Sequence, residues 1–355
     1  MHQHRLSRTH HLTEVSPQIM RRRTLIAAAL GLSTSAALPS WAAAAAHTHD
    51  PDYTEGRATW TQQFDEIQAE IDSLARTYVT ERGAHDRDHV MDSGLWCFAQ
   101  AMVLRGNATP ANDRAARRLA AECAMFAAGC HVDLGTNSAA RELYHRAHII
   151  AGDDNRDLQA FINAQANWIP MYTGLWSKVD RRTDAVIRQA EQHGGPALLM
   201  GWTHKARARA VLGDSEGALD ALTHAHANIE RVPGATGISH ALHYSATKVW
   251  FTSSTVYAEL GDAARQNEAQ HRALDDPAIG WVDRQLMRIG YASLDPDPEL
   301  AARRIRLHLA SLPQDSFNHC VKSEAQRVLH DLQERPHGAE VRALDTYLRG
   351  VHTTA

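Results

Sequence analysis

The chain has 355 residues, 44% of them apolar, which is enough for one large core or two ordinary ones. A formal net charge of -4 with 22% charged residues leaves no basic footprint for nucleic acid or for an acidic membrane surface. Cys97, Cys123, Cys130 and Cys320 stand in apolar stretches without C-x-x-C spacing, so they read as small buried hydrophobes rather than zinc or redox ligands.

Residues 1–56 differ from the rest. A histidine-rich polar stretch is followed by "MRRRTLIAAALGLSTSAALPSWAAAAAH", in which three arginines precede an apolar, Ala-rich run over 20–46. This is the layout of an export signal of loose twin-arginine type, with cleavage near Ala46, and Met20 is a second candidate start beside Met1. The competing reading is an Ala-rich linker in a cytoplasmic protein, and the cytoplasm is favoured. Ser33, Thr34, Ser35 and Pro39 interrupt the run too soon for a stable membrane span.

From residue 57 to 355 the pattern is helical. Trp60, Phe64, Ile67, Ile71, Leu74 and Tyr78 recur at steps of four and three, placing them on one face of a long amphipathic helix. No segment alternates apolar and polar residues as a strand would. The breakers "RGNATPAND", "HGGP", "RVPGATG", "LDPDPE", "SLPQD" and "ERPHG" separate helical runs, so the expected class is all-α.

A repeat runs through these helices. Gly135 is followed at five, nine and twelve residues by Ala140, Tyr144 and Ala147, and Gly213 at the same offsets by Ala218, Leu222 and Ala225. Trp202 and Trp250 each stand eleven residues before a glycine, Gly213 and Gly261, with Tyr257 and Ala273 flanking the latter. A weaker copy has Asp180 in the place of the glycine and Ala185 five residues later. Small residues at the start of the second helix of a pair let it approach the first closely.

The stretches "DLGTNSAARELYHRAHIIAGDDNRDLQAFINAQ", "ARAVLGDSEGALDALTHAHANI" and "STVYAELGDAARQNEAQHRAL" resemble tetratricopeptide repeats, and specifically the repeat half of Xre-type helix-turn-helix regulators of high-GC bacteria. The resemblance implies a right-handed α-solenoid of about fourteen helices. It also implies a regulatory interaction or sensor protein, without enzymatic activity, that binds a peptide, a protein partner or a small signal in a concave groove. The front of the chain lacks a helix-turn-helix pattern, so direct nucleic acid binding is not expected.

Within Gly213-Asp214-Ser215-Glu216-Gly217 the letters of a G-x-S-x-G nucleophile elbow appear. An elbow requires a strand leading into the serine, whereas "THKARARAVL" before Gly213 is helical in composition. Gly213 therefore reads as a helix C-terminal glycine and Asp214 or Ser215 as the next N-cap. Glu142, His145 and His148, or His240 and His243, share spacings that suit metal ligands. They lack the H-E-x-x-H order, and no metal or other cofactor is assigned. The candidate groove residues flank the core-facing positions of successive helices: Asn167, Thr203, Arg207, Lys248, Phe251 and Thr255. A pair of cations, an amide and an aromatic on successive helices suit an extended peptide or a carboxylate terminus. The alternative function is an exported α-helical hydrolase or binding protein, resting on the signal-like N-terminus.

Overall fold

A computed structural model describes residues 59–80, 84–192, 195–231, 244–276, 279–313 and 318–350. The segment 1–56, with its Ala-rich run, and the pair His240 and His243 lie outside the described residues. The described residues are all-helical: fourteen helices of ten residues or more, one short α-helix and two 3-10 turns, with no strand among them. In chain order they are α1 (Trp60–Thr80), α2 (Ala84–Gly106), α3 (Asp113–Asp133), α4 (Asn137–Ala151), α5 (Arg156–Gln165), the short α6 (Trp168–Tyr172), α7 (Trp176–Glu191) and α8 (Pro196–Val211). There follow α9 (Ser215–Ala227), α10 (Ala246–Glu259), α11 (Ala263–Leu274), α12 (Trp281–Ser293), α13 (Pro298–Ala310), α14 (His319–Gln333) and α15 (Ala339–Gly350). Among them no helix is long and apolar enough to cross a membrane.

Each helix packs on its chain neighbour, and alternate helices also meet: α3 touches α5, α5 touches α8, and the series continues through α10 and α12 to α14. α14 then returns against α3, and α12 meets α1. The helices of this inner row therefore face one another, while α4, α7, α9, α11, α13 and α15 pack on them from outside as partners of the pairs. The apolar residues of α1 behave as their spacing predicts, with Ile71 and Leu74 buried and Trp60, Phe64, Ile67 and Tyr78 packed partly buried against the same core. All four cysteines are free and buried.

The turns between paired helices share one device. Gly135, Gly174, Gly213 and Gly261 lie at φ 75, 73, 81 and 70°, where a side chain is disfavoured. After α8, the Gly213 amide donates to the Ala210 carbonyl at 3.0 Å and the Asp214 amide to the Arg209 carbonyl at 2.9 Å, which satisfies carbonyls that the ending helix would leave open. The same two bonds occur at Gly135, Gly174 and Gly261. Asp180 does not hold the turn position expected for the weaker repeat copy, because it lies inside α7. Gly174 holds it instead, and Val179, Thr183 and Val186, at offsets of five, nine and twelve, are buried. The intervals from Gly135 to Gly174 and from Gly174 to Gly213 are then both 39 residues, and that from Gly213 to Gly261 is 48. Ala140, Ala147, Ala218, Ala225 and Ala273 are each fully buried where the second helix meets the first.

Ser215 is the exposed first residue of α9, entered from a helix and a glycine turn rather than from a strand. The cap is Asp214, whose Oδ1 accepts from the Gly217 amide at 2.9 Å. Asp262 caps α11 in the same way, accepting from the Arg265 amide at 3.0 Å. Trp202 and Trp250 are only partly buried, stacked respectively on His224 with centroids 4.3 Å apart and beneath the Arg272 guanidinium at 4.4 Å. Their indoles cover the seam between paired helices and do not form its centre.

Two stability outcomes follow from these turns, both checked by urea denaturation of purified variants. Asp214→Ala loses about 0.5–2 kcal/mol with the cap, whereas Ser215→Ala stays within about 0.5 kcal/mol of the parent. Gly213→Ala has open space around the added Cβ, so its cost of about 1 kcal/mol reports backbone strain alone.

Candidate functional site

The inner row brings five of the six groove residues to the interior. Asn167, Thr203, Arg207, Phe251 and Thr255 are buried in the protein itself. The Thr203 hydroxyl donates to the Leu199 carbonyl at 2.9 Å and lies 2.6 Å from the Tyr244 hydroxyl. Thr255 donates to the Thr252 carbonyl at 2.8 Å. Arg207, expected to meet a carboxylate brought by a partner, already meets one of this chain: its Nη2 donates to Glu324 Oε2 on α14 at 2.7 Å. Arg327 binds the other oxygen of Glu324 at 3.0 Å and reaches Glu259 on α10 at 2.6 Å. The Asn167 amide group and both ring nitrogens of His204 are buried with no hydrogen-bond partner among the described residues.

These charges are held by one another. Burial alone would raise the Glu324 carboxyl, but Arg327 and Arg207 together pull it down to about 2. Burial, assisted by the neighbouring Arg207 charge, drives the His204 imidazole down to about 3, so it is neutral near neutral pH. Its ring packs edge-on to Trp168, 4.6 Å between centroids.

Lys248, 30% exposed in its side chain, is the groove residue that reaches a cavity wall. The cavity has a volume of about 210 Å³ and opens among α1, α3, α6 and the beginnings of α10 and α12. Aromatic side chains form its walls: Tyr78, Phe126, Trp168, Tyr172, Tyr244 and Trp281. Trp168 and Tyr172 lie one helical turn apart and stack at 5.6 Å, and Tyr78 meets Phe126 edge-on at 5.8 Å. The polar groups are few. Lys248 donates to Asp283 and lies 5.9 Å from the centre of the Phe251 ring. Asp133 accepts from the Tyr78 hydroxyl and, at 2.9 Å, from the Cys320 thiol. Burial pushes the Tyr172 phenol well up and the Tyr244 phenol up to about 12, so both rings present neutral surface.

No protein-family model matches this chain, and no curated protein matches it. What the cavity does must therefore be argued from its own chemistry. Ring faces and edges offer dispersion contact to a flat apolar body, while one lysine and two carboxylates fix its orientation. Among the described residues no group of three or more His, Cys, Asp or Glu is placed to hold a metal ion. Glu142, one of the histidine neighbours considered as a ligand, is paired with Arg146 at 2.6 Å.

Of the residues that line this cavity, sequence spacing singled out Lys248 for a groove but did not single out Tyr78, Asp133, Trp168, Tyr172, Trp281 and Asp283. Tyr78 read as an ordinary member of a core stripe. A usable signal did exist in "NWIPMYTG", where Trp168 and Tyr172 flank Pro170 at an interval of four in a run too short for a packing helix.

Acid should weaken the interior pair in a defined window. The Glu324 carboxyl is lower in the folded protein than its ordinary value of 4.5, so its stabilisation is complete above that value and fades as pH falls toward about 2. His204, lowered by burial, adds an acid sensitivity that begins at its ordinary value of 6.5. Glu324→Gln should remove the Glu324 contribution between pH 4.5 and about 2 and leave that of His204, which runs from 6.5 down to about 3, as read from denaturation midpoints across pH. Arg207→Ala, which takes from a buried carboxylate one of its two guanidinium partners, should cost up to about 3–5 kcal/mol at neutral pH.

Proposed function

We propose that this chain is a non-enzymatic, tetratricopeptide-type interaction or sensor protein of the cytoplasm, with a regulatory role. Its ligand is a small signal molecule or the end of a peptide, with a ring-sized apolar body and a carboxylate directed to Lys248. The observation that carries this reading is the cavity of about 210 Å³ walled by six aromatic side chains, with Lys248 at its edge. Its size suits one side chain or a compact metabolite rather than an extended peptide. The right-handed solenoid belongs to the same proposal, supported by the recurrent glycine turn and by the succession of inner helices that meet in order.

The binding test uses isothermal titration with N-acetyl-tryptophan, indole-3-acetate and short peptides ending in phenylalanine. The expected result is saturable 1:1 binding by at least one probe, weakened tenfold or more by Trp281→Ala and by Lys248→Met in variants that keep their circular dichroism. Binding unchanged in both variants, or none by any probe, would remove the cavity as the site. Cell fractionation with N-terminal sequencing tests the location: a mature chain beginning just after Ala46 outside the cytoplasm would favour the exported alternative.

A further inference from the structure

A second cavity, with a volume of about 250 Å³, lies on the opposite side of α6 from the aromatic one. Ile169, Pro170 and Thr173 face it, whereas Trp168 and Tyr172 face the first. Its charged lining has one sign. Arg141, His145 and His148 come from α4 and Lys178 and Arg182 from α7, and no aspartate or glutamate lines it.

Elsewhere in the molecule several arginines meet carboxylates, while others on open surface, such as Arg303, do not among the described residues. Arg117, Arg118, Arg146, Arg207, Arg209 and Arg327 each lie within ion-pair distance of an Asp or Glu. Arg141, Lys178 and Arg182 have no such pair among the described residues. Arg141 and Lys178 are exposed and Arg182 is half-buried, so water softens the repulsion among three like charges around one small space without removing it. Arg182 is partly desolvated, which lowers its pKa. His148 has its Nδ1 buried without a hydrogen-bond partner among the described residues. Desolvation and then the nearby His145 depress its ring, against a smaller opposing effect of Asp153. An occupant with several negative charges and several acceptor oxygens relieves both the repulsion and the unmet donor.

We infer that this cleft is a binding site for a small, multiply charged oxyanion, of the class of phosphate and diphosphate groups, held by Arg141, Lys178 and Arg182 with His148 as a further donor. Guanidinium groups from two different helices suit a tetrahedral group with oxygens on several sides. Apolar contacts from Ile169 and Pro170 leave room for a small organic body on that group. This site and the aromatic cavity are independent, so either stands if the other fails.

The test is isothermal titration of the full chain with inorganic phosphate, pyrophosphate and a simple sugar phosphate at constant ionic strength, with acetate as the monovalent control. The expected result is 1:1 binding of at least one phosphate compound, with acetate at least tenfold weaker. Arg182→Gln and Lys178→Gln should each weaken it tenfold or more while leaving circular dichroism and the urea midpoint near the parent's. Arg303→Gln, on exposed surface of α13, should leave it within twofold. Tighter binding of phosphate than of the sugar phosphate identifies the free ion as ligand, and the reverse identifies the esterified group. The inference is overturned if no phosphate compound binds, if Arg303→Gln weakens binding as much as Arg182→Gln, or if a short duplex DNA competes through all of these residues alike.

Discussion

The buried carboxylate of Glu324, held between Arg207 and Arg327, is the interaction on which the arrangement depends. An open row of helix pairs leaves its inner helices facing water. Here α14 returns to the beginning of the row, and the inner faces meet one another. Bringing charges into that interior is costly unless they are paired and hydrogen-bonded. The pairs supply that compensation: Arg207 is on α8, Glu259 on α10, and Glu324 with Arg327 on α14, so four charges tie three non-adjacent parts of the chain. The Cys320 thiol on Asp133 ties α14 to α3 as well.

The outer structure obeys a simpler rule. Four of the pairs are closed by a glycine in the left-handed region, Gly135, Gly174, Gly213 or Gly261, which returns the chain while satisfying the last carbonyls of the helix. A small residue follows where the next helix crosses close to its partner, as at Ala140 and Ala218. This local chemistry explains why so much of the fold was legible. Helical period, breakers and the glycine with its following small residue are all written within a few turns of chain, and Gly135, Gly213 and Gly261 sit where their spacing put them. The second turn was misread at Asp180 because Val179, Thr183 and Val186, β-branched residues of its helix, stand where Ala140, Tyr144 and Ala147 marked the first. Gly174, preceded by the very short α6, carried the signal.

The interior was much less legible. Which carboxylate meets Arg207 is decided 117 residues away, and no local period encodes that meeting. Residues selected as flanking the core stripe do lie on the inner faces, yet an inner face open to a ligand and one filled by the returning end of the chain have the same sequence pattern. Only Lys248, near the beginning of α10, remains beside a cavity. The aromatic walls come from α1, α3, α6 and α12, segments brought together by the return of the row, so their common function cannot be read from any one of them.

The return of α14 also fixes how many units the row holds. A row of helix pairs that ends freely can lose or duplicate a unit and remain a row, because each pair answers only to its neighbours. In this molecule the 48-residue unit between Gly213 and Gly261 stands between the two halves of a charge pair, Arg207 and Glu324. Deleting it would remove Glu259 and move Arg207 away from Glu324, leaving the Arg207 charge buried without its carboxylate. The number of helix pairs between Arg207 and Glu324 is thus constrained by the match between those two residues.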